Sequence, residues 1–186
     1  MALTFDDGPH RQGTPAILEA LDAAGVRATF FVVGEQVRRT GSLAAEIAAA
    51  GHAVAVHGDR HRNLLRLTPA AIAADLDRAR ETIALASSVH RAPYGMYSWP
   101  ALAAVRARGW TPVLWSAWGR DWARGATGES VAGRVLRDLG PGAIVLLHDA
   151  DDYSAPGSWR ATAAALPRLL DAILARGLRP VTLQGR

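Results

Sequence analysis

The 186-residue chain has no cysteine, which excludes a disulfide frame and a thiolate metal site. Any bound metal must therefore sit on histidine and carboxylate. Lysine is also absent, so all 21 basic residues are arginine, and they are scattered rather than gathered into runs. The net charge of +4 and pI of about 10.5 thus do not describe a nucleic-acid-binding face, although a positive surface suits an anionic cell wall. No apolar run reaches the ~20 residues of a membrane span. The first residues read as a strand, not as a charged and then apolar signal segment. Hydrophobic residues at 49% and charged residues at 20% exclude the composition of a disordered chain. The length fits one domain over residues 1–186.

One phrase recurs: an alanine-rich helical stretch, a glycine, then an apolar strand. It appears as LEALDAAGVRATFF, AAEIAAAGHAVAVH, ALAAVRARGWTPVLW and LLDAILARGLRPVTL. Gly25, Gly51, Gly109 and Gly177 stand where a helix end calls for a left-handed residue. Thr14-Pro15 and Thr68-Pro69 each offer a capping hydroxyl before a proline at the first helical position. Strands are expected near Ala2–Phe5, Ala28–Val33, Ala53–Val56, His90–Arg91, Thr111–Trp115, Ala143–Leu147 and Pro180–Leu183. This α/β alternation, with about seven strands, predicts a parallel sheet, either closed into a barrel or open and doubly wound.

The chemically capable residues cluster at strand C-termini, which share one face in such folds. Asp6 and Asp7 follow the first strand within Thr4-Phe5-Asp6-Asp7-Gly8-Pro9. Adjacent carboxylates repel in a dry site unless a cation divides their roles, although Asp-Asp-Gly-Pro alone also suits a surface turn. His57 and His61 lie four apart, and with one carboxylate they make a two-histidine, one-carboxylate set that leaves positions open for water and substrate. Arg91 opens Arg91-Ala92-Pro93-Tyr94-Gly95 with a guanidinium able to grip a buried carboxylate. Trp115, Trp118 and Trp122 surround Asp121, as core or as a wall for sugar rings. His148 ends an apolar strand, where it is either a structural residue or a general acid.

In order, TFDDGP, HxxxH, RxPxG, DW and LxH resemble the five motifs of the polysaccharide deacetylase family, the NodB-homology domain of carbohydrate esterase family four. The resemblance runs from Thr4 to His148. It implies a distorted (β/α) barrel, with Asp6 as catalytic base and Asp7, His57 and His61 binding one divalent ion. That ion would be zinc, with cobalt or nickel as alternatives. It further implies that Arg91 orients Asp6, that Asp121 joins this polar network, and that His148 is the general acid. Trp122 and Leu146 would wall an acetyl pocket, and the Tyr94 backbone N–H would bind the oxyanion. Three positions depart from the pattern. Gly58 stands where Ser or Thr is usual, removing a loop-bracing hydrogen bond; Ala92 replaces a proline; Trp118 replaces an aspartate. These departures bear on substrate preference.

The expected reaction is hydrolysis of N-acetyl groups on an N-acetylglucosamine-containing polysaccharide, of chitin-oligomer or peptidoglycan type, by metal-activated water. Three other readings stay open: an acetylxylan-type esterase, an amidase or deformylase of a small or lipid-linked molecule, and a carbohydrate-binding domain without turnover. The resemblance implies an extracellular or cell-wall setting, while the missing signal segment leaves the cytoplasm open. Oligomeric state is not readable from the sequence.

Overall fold

Alternating apolar residues of short strands build a single parallel sheet. The computed structural model describes residues 1–84 and 86–184. The strands are β1 (Ala2–Asp6), β2 (Thr29–Val32), β3 (Ala53–Val56), β4 (Val89–His90), β5 (Thr111–Pro112), β6 (Ala117–Trp118) and β7 (Ile144–His148). They lie in the order β5-β4-β3-β2-β1-β7-β6. Every neighbouring pair is parallel. Helices α1 (Gly13–Ala23), α2 (Gly34–Thr40), α3 (Leu43–Ala49), α4 (Pro69–Thr82), α5 (Trp99–Ala107), α6 (Gly128–Asp138) and α7 (Trp159–Ala175) complete the fold.

The sheet is curled, and one contact measures the curl. Arg91, just beyond β4, donates from Nη1 to Thr4 Oγ1 on β1 at 2.8 Å. Those strands are three places apart, about 14 Å in a flat sheet and beyond the reach of an arginine. The interior must therefore close on itself, which makes the fold the expected distorted barrel, open between its edge strands β5 and β6. Alternation assigns the two faces. Leu3, Phe5, Phe30, Val32, Val145 and Leu147 point outward into the main core with Ile17, Leu21 and Leu166 from the helices. Phe31, Ala55 and Val89 point inward and form a smaller cluster with Val113 and Leu183. Thr4 and Asp6 share that inward face, because they alternate with Leu3 and Phe5.

Most local expectations match. Gly25, Gly51, Gly109 and Gly177 have φ of 62°, 83°, 75° and 63°, so each of these helix ends turns on a left-handed glycine, the first three leading into strands. The Thr68 hydroxyl caps α4 by accepting the Ala71 N–H at 3.2 Å, with Pro69 in the first turn. Thr14 does not cap. It lies inside α1, and its hydroxyl instead donates to Asp149 Oδ2 at 2.5 Å and accepts the His10 N–H at 2.7 Å. A buried carboxylate outcompetes the helix terminus for that hydroxyl. Pro180–Leu183 is not a strand either. Val181 donates to Met1 O at 2.9 Å, but Leu183 turns to the Thr29 hydroxyl at 2.8 Å, so no ladder forms. The seventh strand is β6, beside β7 and too short to show a period in the sequence. The fifth expected strand ends early, at Pro112.

Candidate active site

The inward face of β1 carries Asp6 to the top of the barrel, where Arg91 Nη1 donates to Asp6 Oδ1 at 2.7 Å. Arg91 is completely buried, its guanidinium 4.0 Å from the Phe31 ring and donating to the Leu114 carbonyl at 3.2 Å. Strand alternation would turn Asp7 to the opposite face. Asp7 instead adopts φ 79°, a left-handed conformation that aspartate tolerates better than most residues, and both carboxylates reach one cavity. A Cβ on the next residue, Gly8, would collide with the Asp149 carboxylate, so glycine is required there.

His57 and His61 project from the loop after β3. His57 Nδ1 lies 2.8 Å from the Arg91 carbonyl, which can only accept, so Nδ1 carries the hydrogen and the Nε2 lone pair faces the cavity. Asp7 Oδ1 is 3.4 Å from His57 Nε2 and 3.2 Å from His61 Nε2. It is buried with no hydrogen-bond partner. Three donor atoms within 4.8 Å of one another, one an orphaned buried carboxylate oxygen, fit a divalent cation. Burial opposes ionisation of Asp7, but His57 and His61, with His148 nearby, hold its carboxyl far below the usual range.

His148, at the end of β7, lines the same cavity beside Asp6, its register partner on β1. Its Nδ1 lies 3.0 Å from Asp121 Oδ1, and its Nε2 points into the cavity, 3.9 Å from Asp7 Oδ2. Burial disfavours the imidazolium, but Asp121, reinforced by Asp7 and Asp6, pushes the pKa up to about 10. The buried Asp149 carboxyl beneath the loop after β1 is pushed up to about 7, chiefly by burial and by Asp7, while the Thr14 hydrogen bond opposes the rise.

The cavity measures about 310 Å³. Of the residues singled out from sequence, Asp6, Asp7, His57, His61, Tyr94, Trp122, Leu146 and His148 line it. Arg91 and Asp121 do not line it; fully buried, they hold Asp6 and His148 from beneath. Tyr94 is left-handed at φ 61°. Trp118 pairs in register with Leu146, stacks on Trp115 at 6.2 Å and lies tilted against Trp122 at 5.3 Å, forming an aromatic wall at the open edge of the barrel.

Several contributors escaped the sequence reading. Tyr153 lies 4.4 Å from the His61 ring in a stacked arrangement, and its hydroxyl donates to Glu35 Oε1 at 2.5 Å. Thr162 on α7 donates to Asp121 Oδ2 at 2.6 Å, and Thr4 Oγ1 donates to the Val145 carbonyl at 2.6 Å while receiving Arg91. Thr4 opens the TFDDGP motif but no motif marks Tyr153 or Thr162, and the hydrogen-bond partners of all three lie at least 41 positions away along the chain. Thr4 and Thr162 are marked only by polarity within a largely apolar stretch, and Tyr153 stands in a polar loop that offers no such contrast.

Comparison with known proteins shows the same fold in a named family. The family model described as polysaccharide deacetylase matches residues 1–113. A chitooligosaccharide deacetylase of Bradyrhizobium sp. (strain ANU 289) is 38% identical, over 94% of this chain and 84% of that protein. The crystal structure of a peptidoglycan N-acetylglucosamine deacetylase superposes with a TM-score of 0.90 at 30% identity, over 98% of this chain and 85% of that one. A family 4 carbohydrate esterase from Streptomyces lividans, solved with acetate, gives a TM-score of 0.87 at 30% identity, over 99% of this chain and 92% of that one.

Proposed function

The chain belongs to the polysaccharide deacetylase family, and on that premise we propose that it hydrolyses N-acetyl groups on a chitin-type or peptidoglycan-type N-acetylglucosamine polymer. The observation that carries this reading is the Asp7, His57 and His61 donor set, with Asp6 and His148, register partners on β1 and β7, lining the same cavity.

Asp7, His57 and His61 would hold a divalent ion, zinc in the first instance, whose Lewis acidity polarises the acyl oxygen and acidifies water. Asp6, oriented by Arg91, accepts the proton of the attacking water. The water oxygen bonds to the acetyl carbon, and the Tyr94 backbone N–H is the protein's donor to the resulting oxyanion. Leu146 and Trp122 give the acetyl methyl an apolar wall. As the carbon–nitrogen bond breaks, His148 donates its Nε2 proton to the departing nitrogen, leaving acetate and a free amino sugar.

The Asp121-supported acid favours amides over the esterase reading. An amine leaves poorly unless protonated, whereas an alkoxide needs less help, and His148 is held as an imidazolium to well above neutral pH. The complete set of polar groups likewise favours turnover over simple carbohydrate binding. Acetate release from chitin oligomers, peptidoglycan and acetylated xylan, each with and without zinc, tests the proposal. Zinc-dependent release from one of the first two supports it; release from xylan alone replaces it with the esterase reading, and no release from any overturns it.

A further inference from the structure

Between His57 and His61 the chain passes through Gly58, Asp59 and Arg60, and it is anchored from outside the cavity. Asp59 does not line the cavity and is only 1% exposed. Arg38 Nη1 on α2 donates to its Oδ1 at 2.6 Å, and Arg78 Nε on α4 donates to its Oδ2 at 3.2 Å. Asp75 on α4, also 1% exposed, accepts the Asp59 backbone N–H at 2.9 Å and Arg62 Nη2 at 2.7 Å. Each oxygen of both carboxylates thus has a donor, the condition under which buried charge is tolerated. The loop also serves α2, whose Gly34 and Glu35 N–H groups donate to the Gly58 and Asp59 carbonyls at 3.0 and 2.8 Å.

Gly58 is the position where the family motif usually carries a hydroxyl side chain. Here its φ is 91°, and a Cβ added to it would lie 3.1 Å from Asp75 Oδ2. The Asp75 carboxylate, from α4, packs close against the position that the missing side chain would start from. His61 is the ligand most exposed to any slackness in this loop. Its Nδ1 is buried without a hydrogen-bond partner, so no such bond fixes its ring, whereas His57 is held by the Arg91 carbonyl.

We propose that Asp75 is a positioning residue that replaces the absent brace at Gly58, fixing the loop through the Asp59 N–H and thereby setting the affinity of the metal centre. The inference rests on the reading of Asp7, His57 and His61 as metal ligands. Groups that orient metal ligands from behind are worth about 10- to 100-fold in affinity.

The test is zinc affinity, measured on the metal-free full chain by competition with a chromophoric chelator. Asp75→Ala should weaken binding about 10- to 100-fold with the far-ultraviolet circular dichroism of the parent. Asp75→Asn keeps an oxygen for the Asp59 N–H but loses the Arg62 ion pair, and should weaken it several-fold. Asp77→Ala is the control: Asp77 also sits on α4 and pairs with an arginine, Arg108, at 2.6 Å, yet among the described residues it makes no hydrogen bond or ion pair with the loop. Its zinc affinity should equal that of the parent. Parental affinity in Asp75→Ala overturns the proposal, as does an equal loss in Asp77→Ala. If Asp75→Ala fails to fold, parental affinity in Asp75→Asn has the same force. A parent chain that binds no zinc would instead remove the metal centre itself.

Discussion

His148 and Asp121 form one unit: the carboxylate meets the imidazole at 3.0 Å through Oδ1, while its Oδ2 accepts the His148 N–H and the Thr162 hydroxyl, each at 2.6 Å. Asp121 is thus locked in place and cannot turn away from the ring. Asp121→Asn should preserve the fold but lower the His148 pKa toward its ordinary value. The alkaline limb of the kcat/KM profile should then move to lower pH, and amides should lose more rate than esters of the same sugar. An unchanged profile would sink the role assigned to His148.

The same pair makes the stability of the metal-free protein pH-dependent. The folded pKa of His148, about 10, lies above the ordinary 6.5, so the folded state holds a proton that the unfolded chain releases. The resulting stabilisation is complete below pH ~6.5 and is lost as pH rises through about 10. Urea midpoints across that window should fall less steeply in His148→Gln. Bound zinc, a nearby cation, should shift the loss to lower pH.

Asp6 and Asp7, adjacent in sequence, should separate in their effects. Asp6→Asn should retain zinc but lose most turnover, because an amide cannot accept the proton of water. Asp7→Asn should weaken zinc binding, and excess zinc should restore part of its activity. Metal analysis and acetate release on both variants check this, and rescue of Asp6→Asn alone would reverse the assignment.

Arg91 carries structure and chemistry together. Arg91→Ala leaves Asp6 buried without its partner and should cost about 3–5 kcal/mol in urea denaturation. Arg91→Lys keeps the charge but loses the planar fork that reaches Thr4, Asp6 and the Leu114 carbonyl at once. It should fold with reduced kcat and near-normal zinc binding. Full activity in Arg91→Lys would show that charge alone suffices.

Trp118, 40% exposed between two other indoles, is placed to face a sugar ring. Trp118→Ala should raise KM for chitin oligomers several-fold with little change in kcat, and Trp118→Phe should recover most of the loss. A fall in kcat at constant KM would place Trp118 with the reacting groups instead.

The sequence by itself determined the parts that depend on local pattern. Helix and glycine recur because a chain leaving a helix needs a left-handed residue, and Gly25, Gly51, Gly109 and Gly177 supply it. Asp6, Asp7, His57, His61 and His148 were legible because strand ends in a parallel sheet share one face. What only the tertiary structure decided are contacts between elements distant along the chain. A carboxylate on one side of the barrel drew the Thr14 hydroxyl away from capping, and the Thr29 hydroxyl kept Leu183 out of a strand ladder. Asp75 filled the space beside Gly58, and Tyr153 stacked on His61. Periodicity and capping act over a few residues and leave a mark on the sequence. A hydrogen bond between residues 4 and 91 leaves none, because its partners become neighbours only when the sheet curls.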